Sequence, residues 1–141
     1  MPTRTASATW KGKLRDGSGT FKGEMGIGGS YSFASRFENG QGSNPEELVA
    51  AALASCYSMA LSVGLDAAGM TPEQIDTSAA CTVEKVGDGF QVTKMKLTCR
   101  AKVANGDAAK FAEVAQATKE GCPISKLMKG NVEMTLDAAL A

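Results

Sequence analysis

The stretch Leu48–Leu65 contains no charged side chain, and it decides most of what this chain can fold into. As a membrane span it is barely long enough. It consists largely of Ala and Ser rather than Leu and Ile, and acidic Glu47 and Asp66 flank it with no basic anchor on either side. A central buried helix is the expectation instead. Its start is marked by Ser43-Asn44-Pro45-Glu46-Glu47, which supplies a capping side chain, a proline for the first helical position and carboxylates where the helix dipole favours them. Gly69 can take the left-handed conformation that stops it, so the helix is expected from about Pro45 to Ala68. A helix apolar on every side needs cover on every side, which a single small domain has trouble providing and a second subunit would supply.

Extended segments are expected on both sides of this helix. Thr5–Lys11, Thr20–Gly23 and Tyr31–Phe37 read as strands separated by glycine-rich turns. Ile75–Val86 and Phe90–Val103 read as a hairpin closed by Gly87-Asp88-Gly89. In the second strand, Met95, Leu97, Cys99, Ala101 and Val103 alternate with polar residues, while Phe90 and Val92 fall in the opposite phase, which predicts a bulge near Thr93. A helix over about Asp107–Glu120, a short helix over Pro123–Met128 and a last strand over Asn131–Leu136 complete the pattern. Strands and helices in separate runs predict a single α+β domain over residues 1–141, with antiparallel sheets and a long central helix.

The chain has 15 basic and 15 acidic residues and no histidine. Zero net charge offers no field for nucleic acid or an anionic membrane. The lack of histidine removes Cys-His hydrolases and His-ligated metals, leaving thiol chemistry as the sharpest option. No apolar h-region follows Met1, so a cytoplasmic location with reduced thiols is expected.

Four cysteines remain to be sorted: Cys56, Cys81, Cys99 and Cys122. Cys81 and Cys99 fall on apolar strand faces and read as small core residues. Folding the hairpin about Asp88 sets Cys81 beside Met95 and Cys99 beside Thr77, about 13 Å out of register for a mutual disulfide. No Cys-x-x-Cys element suggests a zinc site. Cys56 lies within the long helix, whereas Cys122, between Gly121 and Pro123, sits where one helix ends and another begins. The local setting alone nominates Cys122 as the more acidic thiol.

Arg36-Phe-Glu, Ser43-Asn-Pro-Glu-Glu-Leu-Val-Ala-Ala-Ala-Leu-Ala-Ser-Cys-Tyr-Ser-Met59, Gly69-Met-Thr-Pro72 and Gly121-Cys-Pro-Ile-Ser-Lys126 together resemble the OsmC/Ohr family, and within it the OsmC branch. The resemblance runs over essentially the whole chain. It implies a thiol-dependent peroxidase acting chiefly on organic hydroperoxides, built as an intertwined homodimer and needing no metal or flavin. It assigns Cys56 as the peroxidatic cysteine, Cys122 as the resolving cysteine, and Arg36 and Glu46 as an ion pair beside the reactive sulfur. It also implies reduction of the resulting disulfide by dithiols such as dihydrolipoyl groups on proteins.

Arg36 would activate Cys56 because a guanidinium is always charged and its fork can hold a thiolate and a peroxide oxygen together. Arg15, in Leu14-Arg-Asp-Gly17, is the rival, since that segment resembles the place from which the Ohr branch supplies its arginine. Glu46 and Cys56 lie about 15 Å apart along one helix axis, so a guanidinium that touches both is most simply served by two chains. Each site is therefore expected to be composite, with Cys56 and Cys122 from one subunit and Glu46, with or without Arg36, from the other. The alternative from a different class is a non-catalytic module that holds a small apolar ligand, with inert cysteines whose pKa stays near the usual ~8.5, where a peroxidase would lower that of Cys56.

Overall fold

Glycines and aromatic residues organise the N-terminal segment as a three-stranded meander, β1 (Ala6–Lys11), β2 (Ser18–Gly23) and β3 (Gly28–Tyr31), antiparallel in the order β1-β2-β3. The computed structural model describes residues 1–141 in two compact units, Met1–Leu48 and Val49–Ala141. In the first unit Gly19 pairs with both Trp10 and Tyr31, whose ring centroids are 5.4 Å apart. A Cβ at Gly19 would lie 2.5 Å from the Tyr31 ring, so only glycine lets the two rings meet across the strand.

The strand expected over Tyr31–Phe37 stops at Tyr31, and Phe33–Phe37 forms helix α1. Local hydrogen bonds explain the correction. Ser32 Oγ accepts from the Ser35 amide at 3.1 Å, and Ser35 Oγ accepts from the Ser32 amide at 2.8 Å, a reciprocal cap that satisfies the amides of a first turn. Phe33 and Phe37, one turn apart, then stack with centroids at 5.2 Å.

Helix α2 runs from Pro45 to Ala67, with Asn44 Oδ1 capping the Glu47 amide and Gly69 at φ +80° just beyond its end. It is long and apolar enough to cross a membrane, with a hydropathy of 1.8. One face is covered: Leu53, Tyr57, Leu61 and Leu65, spaced one turn apart, are all fully buried. On the other side Met59 and Val63 are 75% and 67% exposed, so in a single chain the helix is buried along one stripe rather than all round.

In the second unit, α2 is followed by β4 (Thr71–Val86), β5 (Gly89–Ala104), α3 (Ala108–Gly121), α4 (Pro123–Met128) and β6 (Glu133–Leu140). The hairpin β4–β5 turns at Gly87 with φ +60°, the conformation that a two-residue turn with glycine first requires. Its register sets Cys81 against Met95 and Cys99 against Thr77, and the slip between Thr82 and Val83 leaves Thr93 as the extra residue. Both features match the sequence expectation. The sheet is mixed rather than antiparallel, because β6 pairs with β5 in parallel. The connection through α3 and α4 is a crossover, which returns the chain to the starting end of its neighbour. Met95, Leu97, Cys99 and Ala101 of β5 meet the α2 stripe and Phe111 and Ala115 of α3 in one core. Gly64 allows the approach of the two helices, since a Cβ there would lie 2.8 Å from Val114.

Candidate active site

The candidate residues form two constellations, one in each unit. In the second unit Cys56, flanking the buried stripe of α2, meets Cys122 at the junction of α3 and α4. Cys122 is held from both sides: its amide donates to Thr118 O of α3 at 3.0 Å, and its own carbonyl accepts from the Lys126 amide of α4 at 3.0 Å. Cys122 is also the N-cap of α4, its sulfur accepting from the Ser125 amide at 3.4 Å and lying 3.0 Å from Ser125 Oγ. Pro123 follows at the first helical position, where its missing N–H costs nothing.

Cys56 interacts with the Cys122 side chain, and the Ile124 amide acts on its sulfur. All four cysteines are free thiols. Burial pushes the Cys56 thiol above its usual pKa; the Ile124 amide opposes this, while the hydrogen bond and charge of Cys122 add to it. The net shift is thus opposite to the lowering expected of a peroxidatic thiol, which a positive partner beside the sulfur would supply.

The first unit holds the second candidate group, the Arg36 guanidinium. Arg36 grips Glu46 with two nitrogens: Nη2 lies 2.8 Å and Nε 3.0 Å from Oε1, and Nε lies 3.2 Å from Oε2. The Glu46 side chain is only 9% exposed, whereas Arg36 keeps 37% of its side chain open to solvent. A clasp between α1 and the start of α2 sets this geometry. Ser35 Oγ donates to Ser43 O at 2.7 Å, and Asn44 Nδ2 donates to Ser35 O at 3.0 Å, so the residues next to Arg36 are tied to those just before Glu46. Arg36 faces a cleft of about 280 Å³ walled by Trp10, Tyr31, Phe33 and Phe37. Arg15 stacks its guanidinium 4.5 Å over the Phe33 ring and takes no part in the Glu46 pair.

Sequence reasoning singled out both cysteines and the ion pair but missed Ser125 and the aromatic cleft. Serine three residues after a cap position was a visible signal for the first. The cleft depends on Phe33 and Phe37 leaving the strand for α1, which the alternation in that segment concealed. Cys99 is fully buried and Cys81 half-buried against the core, as their strand faces predict. No group of three or more cysteine or acidic side chains comes together that could hold a metal ion.

A strand-helix scaffold with paired thiols at a helix junction and a clamped Arg-Glu pair defines the class. The chain belongs to the OsmC-like protein family, whose pattern it matches over residues 38–137. It is 43% identical over 139 residues to peroxiredoxin OsmC of Escherichia coli (strain K12), covering 97% of this chain and 96% of that one. It is 31% identical over 101 residues to organic hydroperoxide resistance protein OhrB of Bacillus subtilis (strain 168), covering 71% and 72%. The fold also superposes on the crystal structure of OhrB of Bacillus subtilis with a TM-score of 0.74 and 25% identity, covering 95% of this chain and 97% of that one.

Proposed function

We infer that this chain is a thiol-dependent peroxidase that reduces organic hydroperoxides to alcohols. The observation that carries this is the meeting of Cys56 with Cys122 beside the Ile124 amide. The Cys56 thiolate attacks the O–O bond; the sulfur takes one oxygen and becomes a sulfenic acid, and the remaining alkoxide leaves with a proton as the alcohol. The Cys122 thiolate then attacks the oxidised sulfur, the S–S bond forms as the S–O bond breaks, and water departs. A dithiol donor, such as a dihydrolipoyl group on a protein, restores both thiols, since a second thiol on the donor resolves the mixed disulfide intramolecularly. The peroxidase names of the relatives support the reaction class.

The positive partner of the Cys56 thiolate is Arg36, and the working enzyme is a homodimer with composite sites in a reducing cytoplasm. Arg36 and Glu46 pair within one chain, so they enter a site together, as one clamped group facing the thiols of the partner subunit. The exposed apolar residues Met59 and Val63 of α2 support a second subunit as their cover. The aromatic cleft beside Arg36 favours an organic over a bare peroxide, and it also suits a module that only binds an apolar ligand. Such a module gives no reason for two thiols to meet.

Dithiol oxidation driven by hydrogen peroxide, tert-butyl hydroperoxide and cumene hydroperoxide tests the reading. The organic peroxides should give the higher kcat/KM, because each buried methylene adds about 0.8 kcal/mol of transition-state binding. Ligand binding without any peroxide-driven oxidation would establish the binding module instead.

A further inference from the structure

We propose that Ser125 is a catalytic residue of the second half-reaction, its hydroxyl stabilising the Cys122 thiolate as that sulfur attacks oxidised Cys56. The proposal rests on the peroxidase reading above and adds a group to it. Ser125 Oγ lies 3.0 Å from Cys122 Sγ and the Ser125 amide lies 3.4 Å from the same atom. Both residues are almost entirely out of water, 4% exposed for Ser125 and 1% for Cys122.

The use of this hydroxyl differs from that of the serines and threonine inside the longer helices. Ser55, Ser58, Ser62 and Thr118 each donate to a backbone carbonyl three or four residues earlier. That bond is the ordinary fate of a helical serine or threonine. Ser125 alone directs its hydroxyl to sulfur. A hydroxyl both accepts and donates, so it can accept the S–H of the resting thiol and, after rotating, donate its O–H to the thiolate. A fixed cation would instead stabilise only the thiolate.

The chemistry needs such a partner. Cys122 must lose its proton before it forms the S–S bond, and a buried thiolate without donors is costly. The Ser125 amide and hydroxyl together supply two donors aimed at one sulfur. The Cys122 proton passes to solvent, the S–S bond forms as the S–O bond of the Cys56 sulfenic acid breaks, and the departing hydroxide takes up a proton as water. Ser125 remains unchanged. Its hydroxyl has Cys122 Sγ as its hydrogen-bond partner, so the first step, oxidation of Cys56 by peroxide, should not depend on it.

Single-turnover kinetics separate the two steps. Sulfenic acid at Cys56 is followed with a dione probe after a pulse of cumene hydroperoxide, and disulfide closure by loss of free thiols, in wild type, Ser125→Ala, Ser125→Gly and Ser125→Thr. Both hydroxyl-free variants should oxidise Cys56 within about twofold of wild type and close the disulfide at least about tenfold more slowly, the effect of losing one hydrogen bond to a charged sulfur. Their closure should also move to higher pH, and Ser125→Thr should restore rate and pH profile, which a merely structural serine would not produce. Thermal unfolding of each variant ensures that all are compared folded. Closure at the wild-type rate and pH profile in both hydroxyl-free variants overturns the proposal. Failure of the wild type to lose free thiols after the pulse overturns the peroxidase reading itself.

Discussion

Cys56 and Cys122 touch, yet they are not equivalent. Cys56 has one amide donor and a burial that disfavours its ionisation, whereas Cys122 is capped by the amide and hydroxyl of Ser125. On the proposed reading an added cation offsets the burial of Cys56 and makes it the attacking sulfur. Cys56→Ser should abolish peroxide consumption, whereas Cys122→Ser should still consume one equivalent and leave a sulfenic acid at Cys56 that mass spectrometry detects. A Cys122→Ser protein that never forms it would reverse the assignment. Burial likewise raises the pKa of Cys99 above the ordinary 9.0 and that of Tyr57 above the ordinary 10.0. The folded state then holds protons that the unfolded chain releases, so their stabilisation is complete below pH 9 and is lost as the pH climbs from 9 towards the raised values. Urea midpoints should fall between pH 8 and pH 10, and Cys99→Ala should flatten that fall. A midpoint indifferent to this pH rise would show that these groups ionise freely in the fold.

At the scale of elements, the Arg36–Glu46 pair depends on how α1 meets the start of α2. Asn44 does two jobs there, capping the Glu47 amide at 2.8 Å and holding the Ser35 carbonyl at 3.0 Å. Asn44→Ala should cost about 1–2 kcal/mol of stability through the lost cap and bond. It should also lower peroxide turnover by loosening Arg36, although Asn44 touches no sulfur. Denaturant unfolding and steady-state assays check this together, and full activity at reduced stability would separate the clasp from the chemistry. In the hairpin β4–β5, Cys81→Ser and Cys99→Ser should weaken the fold modestly through buried hydroxyls while sparing turnover. Activity lost with folding intact would place one of them in the site.

For the whole molecule, the exposed α2 residues Met59 and Val63 and the proposed composite site both invoke a second chain, which subunit mixing tests. Refolding inactive Cys56→Ser together with inactive Glu46→Ala should produce heterodimers with about one working site each, because intact Arg36–Glu46 on one chain would meet intact thiols on the other. Light scattering and peroxidase assays read the result. Mixtures that stay dead after confirmed exchange would place all four residues within one chain.

The sequence by itself determined what short-range chemistry controls. Pro45, Asn44 and Gly69 bounded the long helix, Gly87 closed the hairpin, and alternation along Met95–Val103 fixed the register that keeps Cys81 and Cys99 apart and leaves Thr93 bulged. The resemblance of four segments supplied the identities of Cys56, Cys122, Arg36 and Glu46, which spacing alone does not connect. Tertiary structure decided the rest, because the deciding contacts join residues remote in sequence or competing locally. Alternating apolar residues suit a strand and the Ser32–Ser35 cap a helix, and the cap prevailed over Phe33–Phe37. The parallel docking of β6 follows from the α3–α4 crossover, and the burial of α2 along one stripe from its packing against β5 and α3. Whether a thiol ionises is set by the burial and donors around its sulfur, and these exist only once α2, α3 and α4 have packed.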